Sequence, residues 1–412
     1  NDNAFWDGNR MTYGRGTNFD PFTTLDICAH EIAHGVTGHT ARLAYRKESG
    51  AINEALSDIW AACIEARSAP EKQRWLMGED IGAIRSMRNP NQFNDPDTYL
   101  GTYWINTNNC TPISENDYCG VHRNSGVINH WFFLLSEGGT GTNDIGNSFW
   151  VGAIGINNAA RIVYRTQSVI LQSSVEQEIS FTQFREATIT AASNIFGNNS
   201  YEVAQVTNAW HAVGVGDRYQ YRISGPTSVC NQATYTVENL PQGATVQWSV
   251  SNNNVTLTSG QGTHTATFTK FRNGMEIINA DILFNNIRIA LLTKETYFGA
   301  PSISNIIGEQ RVPTGQYASY RAVISNNAPI PSSYQWILNP LNGNSLYGNG
   351  TESIDIAFYS PGSYQLVCRA TNECGVGDYY TMGIGVYDNL YLTLSPNPAT
   401  DAVTLQLMET DE

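Results

Sequence analysis

The sequence predicts a multidomain protein in which a mainly α-helical block precedes two immunoglobulin-like β-sandwich modules and the start of a further β domain. Its 412 residues, 41% of them hydrophobic, exceed the size of a typical single domain. Amphipathic helical runs dominate residues 1–215, whereas apolar and polar residues alternate from Tyr219 to Tyr387. We therefore expect a helical region at 1–217, sandwich modules at 218–300 and 301–388, and the opening of a C-terminal β domain at 389–412.

The helical block is predicted from three runs with helical spacing of apolar residues, Ala51–Ala66, Val127–Leu135 and Phe181–Phe196. The β modules are predicted from short alternating runs rich in Val, Ile, Thr and Tyr. A weak internal repeat supports two modules, since the triplet that ends in Trp248 resembles the one that ends in Trp336. Both tryptophans are predicted to fill the sandwich cores.

The amino-acid composition limits the classes of molecule that the protein is expected to bind. A net charge of -14 argues against nucleic acid and anionic membranes, which are bound through basic surfaces. No apolar run reaches the roughly 20 residues of a membrane helix, so no membrane span is expected. Seven cysteines leave at least one thiol unpaired, and Cys110 with Cys119 is the most plausible disulfide, across a short polar loop before His122. The pairing of the others stays open: Cys28, Cys63, Cys230, Cys368 and Cys374.

The run from His30 to His34 has the form HExxH, which on a helix places both histidines on one face with Glu31 beside them. Two histidines and one glutamate are a common ligand set for catalytic zinc, and Glu54 follows on the next predicted helix. Asp58, one turn beyond Glu54, is predicted to accept the free ring N–H of a ligating histidine. An ordinary amphipathic helix is the alternative for HExxH alone.

Several segments in register resemble the thermolysin family of secreted zinc metallopeptidases, from Asn3 to about Val215. The matching segments are Asn3–Trp6, His30–His34, Glu48–Asp58, Ile84–Met87 and Gly120–Gly126. The resemblance implies a thermolysin-like catalytic lobe and protein or peptide substrates.

By that resemblance His30, His34 and Glu54 bind one Zn²⁺, and Glu31 is the general base. Tyr45 and His122 then supply donors to the oxyanion, and Asp117 orients His122. Without the resemblance, a packed aromatic and a surface histidine are the simpler interpretations of Tyr45 and His122. The resemblance also implies that substrate is bound by a further set: Asn3, Ala4, Phe19, Phe22, Ile27, Met77 and Arg85. Phe22, Ile27 and Met77, with Phe19, imply a preference for large apolar residues after the scissile bond.

The family's calcium cluster is represented by Asp26, Glu65 and Glu79, but Arg74 and Leu76 stand where two further acids are common. Because a calcium ion takes six to eight oxygen ligands, at most one Ca²⁺ is expected. We hypothesise that Arg74 replaces the lost cation charge, which predicts little thermal stabilisation by calcium.

The family also has a β-rich lobe ahead of the position of Asn3, forming the other wall of the cleft. That lobe is absent from this sequence, so we expect residues 1–412 alone to have weak or no peptidase activity.

The β modules resemble polycystic-kidney-disease-type (PKD-like) domains appended to secreted bacterial hydrolases. The run Leu394–Asp401 resembles the opening of a type IX secretion sorting domain, with a proline-bounded hairpin as the alternative. These features predict a protein that is secreted or lies at the cell surface. The leading function is a zinc endopeptidase; the alternative is an adhesion protein that binds extracellular polymers through its sandwiches and carries a vestigial peptidase block.

Overall fold

The computed structural model describes residues 3–17, 20–388, 391–395 and 404–408. The chain divides into two compact units. The first comprises Asn1–Gln220 with Asn239–Gly243, and the second comprises Tyr221–Glu238 with Ala244–Glu412. The predicted fold class, a helical block followed by β modules, is confirmed.

The first unit is built from α-helices with short β-hairpins at its edges. The helices are α1 Leu25–His39, α2 Lys47–Ser68, α3 Asp117–Glu137, α4 Ile156–Arg165, α5 Phe181–Phe196 and α6 Tyr201–Ala212. The strands pair as β1 Ala4–Trp6 with β2 Met11–Tyr13, β3 Leu76–Met77 with β4 Arg85–Ser86, and β5 Gly139–Thr142 with β6 Ser148–Val151.

Helix α2 lies at the centre of this unit and packs on α1 and α3. Its apolar side chains, such as Leu56 and Ile59, are fully buried, and each such burial contributes about 1.5–3 kcal/mol. Gly50 allows the close approach of α2 to Val121, since a Cβ there would lie 2.4 Å from a valine methyl. This packing places the first turns of α2 beside the middle of α1, where the HExxH run lies.

The strands of the first sandwich are β7 Arg222–Ser224, β8 Ser228–Val229, β9 Gln232–Glu238, β10 Thr245–Val250, β11 Val255–Ser259, β12 Thr265–Lys270, β13 Gly274–Phe284 and β14 Ile287–Phe298. They form two four-stranded sheets, with strand orders β10-β13-β14-β8 and β11-β12-β9-β7.

The strands of the second sandwich are β15 Ile303–Ile307, β16 Arg311–Pro313, β17 Tyr317–Ile324, β18 Ser333–Asn339, β19 Ser345–Tyr347, β20 Ser353–Ala357, β21 Gly362–Asn372, β22 Gly375–Val376 and β23 Tyr380–Tyr387. One sheet has the strand order β15-β17-β20-β19 and the other the order β16-β23-β21-β18, with β22 paired to β21.

The internal repeat is visible in the hydrogen bonds of the two core tryptophans. The indole N–H of Trp248 donates to the carbonyl of Thr263 at 2.9 Å, and that of Trp336 donates to Thr351 at 2.9 Å. Both rings are buried, as predicted. A buried indole N–H needs an acceptor, and in each module a backbone carbonyl 15 residues further along the chain provides it. This shared hydrogen bond indicates that the two modules have a common structure.

The predicted disulfide between Cys110 and Cys119 is confirmed. A second disulfide joins Cys230 of the first sandwich to Cys374 of the second, a pairing that the sequence left open. Free thiols in the described part of the chain are those of Cys28, Cys63 and Cys368.

After the second sandwich, β24 Tyr391–Ser395 and β25 Thr404–Met408 form an antiparallel hairpin. Most of the run that resembles a sorting domain, residues 396–401, lies outside the described residues. Among the helices that the structure describes, we find none with the length and apolar character that spanning a membrane would require.

Candidate active site

A cleft of about 610 Å³ lies in the first unit, between β1, the HExxH face of α1, the start of α2 and β4. His30, Glu31, His34 and Glu54 line it. The residues predicted to form the zinc site therefore line one cleft.

The three predicted zinc ligands converge on one point. The Nε2 atoms of His30 and His34 are 3.1 Å apart, and the Glu54 carboxylate oxygens lie 3.4 Å from each of them. For metal–ligand bonds of 2.0–2.1 Å, two ligands of a tetrahedral zinc lie ~3.3 Å apart. The separations fit a shared zinc ion.

The other ring nitrogen of each histidine has a fixed partner. His30 Nδ1 lies 2.8 Å from Asp58 Oδ1, as predicted, and His34 Nδ1 lies 2.8 Å from Asn53 Oδ1. Both acceptors leave Nε2 free to carry its lone pair toward the point of convergence. The Asp58 contact is the predicted one, whereas Asn53 was not predicted.

The electrostatics of the trio also suit a cation. Glu54 is almost fully buried and its Oε2 has no hydrogen-bond partner. Burial opposes ionisation of Glu54, yet the charges of His122, His30 and His34 hold its pKa well below the usual range. Burial likewise opposes the cationic form of His30, but Asp58 and Glu54 raise its pKa to about 10. The carboxylates of Asp58 and Glu54 thus stabilise a positive charge at this buried place, whereas burial lowers the pKa of His34 and favours its neutral, ligating form.

Glu31 lies on α1 beside this trio and faces the same cleft. Its side chain is largely buried, and burial raises the pKa of its carboxyl above the usual value, while the charge of His30 partly offsets that effect. A carboxylate with a raised pKa is a stronger base, which suits the predicted role in proton transfer.

Tyr45 and His122 meet beside the Glu54 carboxylate. The Tyr45 hydroxyl lies 3.2 Å from His122 Nε2 and donates to Glu54 Oε1. His122 Nδ1 contacts Asp117, whose other oxygen accepts the backbone N–H of His122 at 3.0 Å. The structure therefore brings together all three residues predicted for oxyanion stabilisation.

Arg85, predicted to bind a substrate carbonyl, is held by two hydrogen bonds to Asp58, from Nε at 2.9 Å and from a terminal nitrogen at 2.7 Å. Asn129 donates to the same carboxylate at 2.7 Å. Asp58 therefore links His30 to Arg85 through hydrogen bonds. Asn129 belongs to the same hydrogen-bond network and was not predicted.

The predicted substrate-binding residues lie along the cleft wall. Ala4 is buried in β1, and Asn3 is exposed just before it. The predicted apolar pocket residues Phe22, Ile27 and Met77 are buried and line the cleft. Phe19 lies outside the described residues.

Sequence reasoning missed several residues that line the cleft, namely Phe5, Trp6, Gly38, Asn53, Ile84 and Tyr118. Asn53 directly precedes Glu54 and Ile84 directly precedes Arg85 in the sequence. This adjacency to predicted site residues could have indicated that both line the cleft. Trp6 packs on Gly35 of α1, with its ring 3.6 Å from where a Cβ would lie.

The predicted calcium residues Asp26, Glu65 and Glu79 also come together, with ligand oxygens within 4.8 Å of one another. We call these three the carboxylate cluster. Lys72, and not Arg74, is the cation beside it, since the Lys72 ammonium lies 3.9 Å from Glu79 while Arg74 donates to the carbonyl of Pro70. The hypothesis that Arg74 replaces the lost charge is therefore wrong, since Lys72 is the cation whose charge acts on Glu65 and Glu79.

Comparison with known proteins agrees with this geometry. Residues 1–38 match the catalytic domain of thermolysin metallopeptidases, residues 41–215 match their alpha-helical domain, and residues 218–278 match a PKD-like domain.

Three relatives illustrate the match. The thermostable neutral protease NprT of Geobacillus stearothermophilus is 39% identical over 225 residues, 52% of this chain and 37% of that protein. Thermolysin of Alicyclobacillus acidocaldarius subsp. acidocaldarius gives the same values. A zinc metalloproteinase of Renibacterium salmoninarum is 36% identical over 219 residues, 52% of this chain and 38% of that protein. The chain thus spans little more than a third of the length of these relatives. Through residues 1–38 and 41–215, this chain belongs to the thermolysin metallopeptidase family.

Proposed function

We propose that the protein is a secreted zinc endopeptidase that hydrolyses internal peptide bonds. The observation that carries the proposal is the convergence of His30, His34 and Glu54 on one point, with Glu31 directly beside it. The fit of these separations to a tetrahedral ion and the unpartnered Glu54 oxygen support zinc as the metal. When bound, zinc acidifies a coordinated water and polarises the substrate carbonyl.

In this proposal Glu31 accepts the proton of the attacking water and returns it to the departing amine. Its raised pKa makes the Glu31 carboxylate a better acceptor of the water proton, and its position on the cleft wall lets the resulting carboxyl donate that proton to the amine. A protein with a purely adhesive role would not need this carboxylate next to the three ligands.

Tyr45 and His122 donate hydrogen bonds to the oxygen that becomes negative as the carbonyl is attacked. Their donor atoms lie 3.2 Å apart, so both face one region of the cleft. Arg85, fixed on Asp58, is placed to bind a carbonyl of the substrate backbone, and β1 offers an edge to which an extended peptide can add.

The buried apolar wall of Phe22, Ile27 and Met77 favours large apolar side chains immediately after the scissile bond. The two disulfides are consistent with an extracellular location, because disulfides persist in oxidising compartments. The sandwiches are proposed as spacers or weak binders of extracellular polymers.

Metal removal tests the proposal. We expect a zinc chelator to abolish hydrolysis of peptides that carry leucine or phenylalanine after the scissile bond, measured in the full-length protein. Adding back one equivalent of Zn²⁺ should restore it. Peptides with aspartate at that position serve as the specificity control and should be cleaved poorly. Hydrolysis that survives complete zinc removal, verified by elemental analysis, would rule out the proposed site.

We further propose that the carboxylate cluster binds one Ca²⁺. Glu65 is buried and its Oε1 has no hydrogen-bond partner, and both oxygens of Glu79 also lack hydrogen bonds, although the Lys72 ammonium lies 3.9 Å from one of them. Asp26, in contrast, is already fixed, since its carboxylate accepts the backbone N–H groups of Ile27 at 2.8 Å and Gly78 at 2.5 Å. The buried carboxylate of Glu65 and the half-buried carboxylate of Glu79 have open acceptor positions and lie beside the fixed Asp26, an arrangement that favours a cation with oxygen ligands.

Calcium is therefore expected to raise the melting temperature, because Lys72 forms only a 3.9 Å ion pair with Glu79 and leaves the oxygens of Glu65 and Glu79 open to a bound ion. Calcium at about 100 times its Kd stabilises by about 2.7 kcal/mol, which corresponds to about 5–10 °C for a unit of this size. Glu65→Gln should remove the response, whereas Glu71→Gln, at an exposed position, should retain it. An unsaturable or equal response in both variants would exclude the site.

A further inference from the structure

We propose that the Cys110–Cys119 disulfide is a positioning element of the active site, which holds the backbone of Asp117–Gly120 so that His122 faces Glu54. This inference rests on the proposed peptidase function. We call Asp117–Gly120 the left-handed segment, because every residue in it has a positive φ: 55° at Asp117, 48° at Tyr118, 69° at Cys119 and 81° at Gly120.

The left-handed segment is unusual because three of its four residues carry a Cβ. Side-chain-bearing residues rarely adopt left-handed angles, and then mostly as single residues. Three in succession persist only where the surroundings fix them. The segment lies at the kinked start of α3, one residue before Val121 begins the regular part of the helix that carries His122.

Several contacts fix the segment, and the disulfide is the covalent one. Cys119 is fully buried, and its bond to Cys110 closes the loop that precedes α3. Inside that loop Asn116 accepts the backbone N–H of Cys119 at 3.1 Å and donates to the carbonyl of Thr111 at 2.9 Å. The disulfide and Asn116 thus hold the same residue, Cys119, from two sides.

The segment also packs closely against the chain that precedes the loop. A Cβ on Gly120 would lie 2.7 Å from the Ile105 side chain, so glycine is required at this approach. Ile105 is itself held, because its backbone N–H donates to Asn124 of α3 at 2.9 Å and its carbonyl accepts from the same amide at 2.9 Å. The segment is thereby confined between α3 and the disulfide loop.

Both proposed oxyanion donors depend on this segment. Asp117, its first residue, accepts the backbone N–H of His122 and contacts the imidazole Nδ1. Tyr118, its second, packs its ring edge-on against Tyr45, with ring centroids 5.6 Å apart. Since Tyr45 and His122 are themselves 3.2 Å apart, a change of backbone angles in the segment would move both donors together.

Opening the disulfide is therefore expected to lower kcat and leave KM nearly unchanged. The loop keeps its Asn116 contacts without the bond, so the protein still folds, but fewer molecules hold both donors in place at a given moment. Apparent activity falls with the fraction of competent molecules. Loss of one oxyanion donor costs about 100-fold to 1000-fold, so partial misplacement should cost about 10-fold.

The test compares two double variants of the full-length protein, Cys110→Ser/Cys119→Ala and Cys110→Ser/Cys119→Gly. The alanine variant should lose about 10-fold in kcat with KM within about twofold and zinc content unchanged. The glycine variant should recover most of the loss, because glycine adopts a left-handed φ without strain. Cys230→Ser/Cys374→Ser, which removes the other disulfide, should leave kcat unchanged.

A double-mutant cycle separates positioning from general destabilisation. In a His122→Ala background, removal of the Cys110–Cys119 bond should cause a smaller loss of kcat than in the parent protein, because Tyr45 is then the one proposed donor that the bond still positions. Unchanged kcat in the alanine variant, equal loss in the alanine and glycine variants, or full additivity with His122→Ala would each overturn the inference. Hydrolysis by the parent protein that is insensitive to Glu31→Gln would instead show that the proposed function has failed.

Discussion

Glu31→Gln is expected to lower kcat for peptide hydrolysis by about 100-fold to 10,000-fold, the range that general acid–base catalysis typically contributes. Glutamine has nearly the same shape but cannot accept the proton of the attacking water. Glu31 is not one of the three convergent ligands, so the variant should keep one zinc per chain and a nearly unchanged melting temperature. The measurement is steady-state hydrolysis in the full-length protein, with zinc content determined on the same sample.

Glu186→Gln is a matched control, because Glu186 is an exposed glutamate on α5, outside the cleft. It should leave kcat, KM and zinc content at the parent values. If Glu31→Gln retained parent activity with zinc bound, the assignment of Glu31 as the base would be wrong. If it lost zinc together with activity, Glu31 would be a structural part of the metal site.

Asp58→Ala should destabilise the first unit and weaken zinc binding at the same time. Asp58 is fully buried and accepts hydrogen bonds from His30, Arg85 and Asn129. Its removal leaves the mostly buried guanidinium of Arg85 without its partner, which typically costs about 3–5 kcal/mol. The melting temperature should fall by about 6–20 °C. Loss of the acceptor for His30 should weaken zinc binding by about 10-fold to 100-fold.

The exposed pair of Asp281 and Arg288, 3.3 Å apart in the first sandwich, provides the contrast. Asp281→Ala should change stability by less than about 1 kcal/mol, since solvent screens such a pair. Asp58→Asn should be intermediate, because the amide oxygen still accepts from His30 but the negative charge opposite Arg85 is lost. Parent values of both melting temperature and zinc affinity for Asp58→Ala would contradict the proposed network.

Most of the active-site residues were predicted from the helical spacing within each motif and from the order of the motifs along the chain. The HExxH spacing requires that both histidines share a helix face, and Glu54 with Asp58 lies one turn apart on the next helix, so these contacts follow from helix geometry. Asn53 and Asn129 could not be assigned in this way. An amide can bind almost any polar neighbour, and Asn129 reaches Asp58 only through packing of α3 on α2.

Contacts between distant segments were the least predictable. The bond between Cys230 and Cys374 joins residues 144 positions apart, and five cysteines of open pairing allow many connectivities. Likewise, Arg74 and Lys72 are close in sequence and alike in charge, so only the turn that follows α2 determines which side chain lies beside Glu79. The strand alternation, by contrast, indicated both sandwiches and their core tryptophans, because burial on one face of a strand imposes a period of two.

The central claim is that His30, His34 and Glu54 together bind a catalytic zinc ion. X-ray absorption at the zinc K edge, on the full-length protein purified without chelators, tests it most directly. The predicted result is one zinc per chain, with two imidazole nitrogens at about 2.0–2.1 Å, oxygen ligands at about 2.0–2.2 Å, and loss of the signal in Glu54→Ala. Sulfur ligands at about 2.3 Å, or undiminished zinc in Glu54→Ala, would contradict the account.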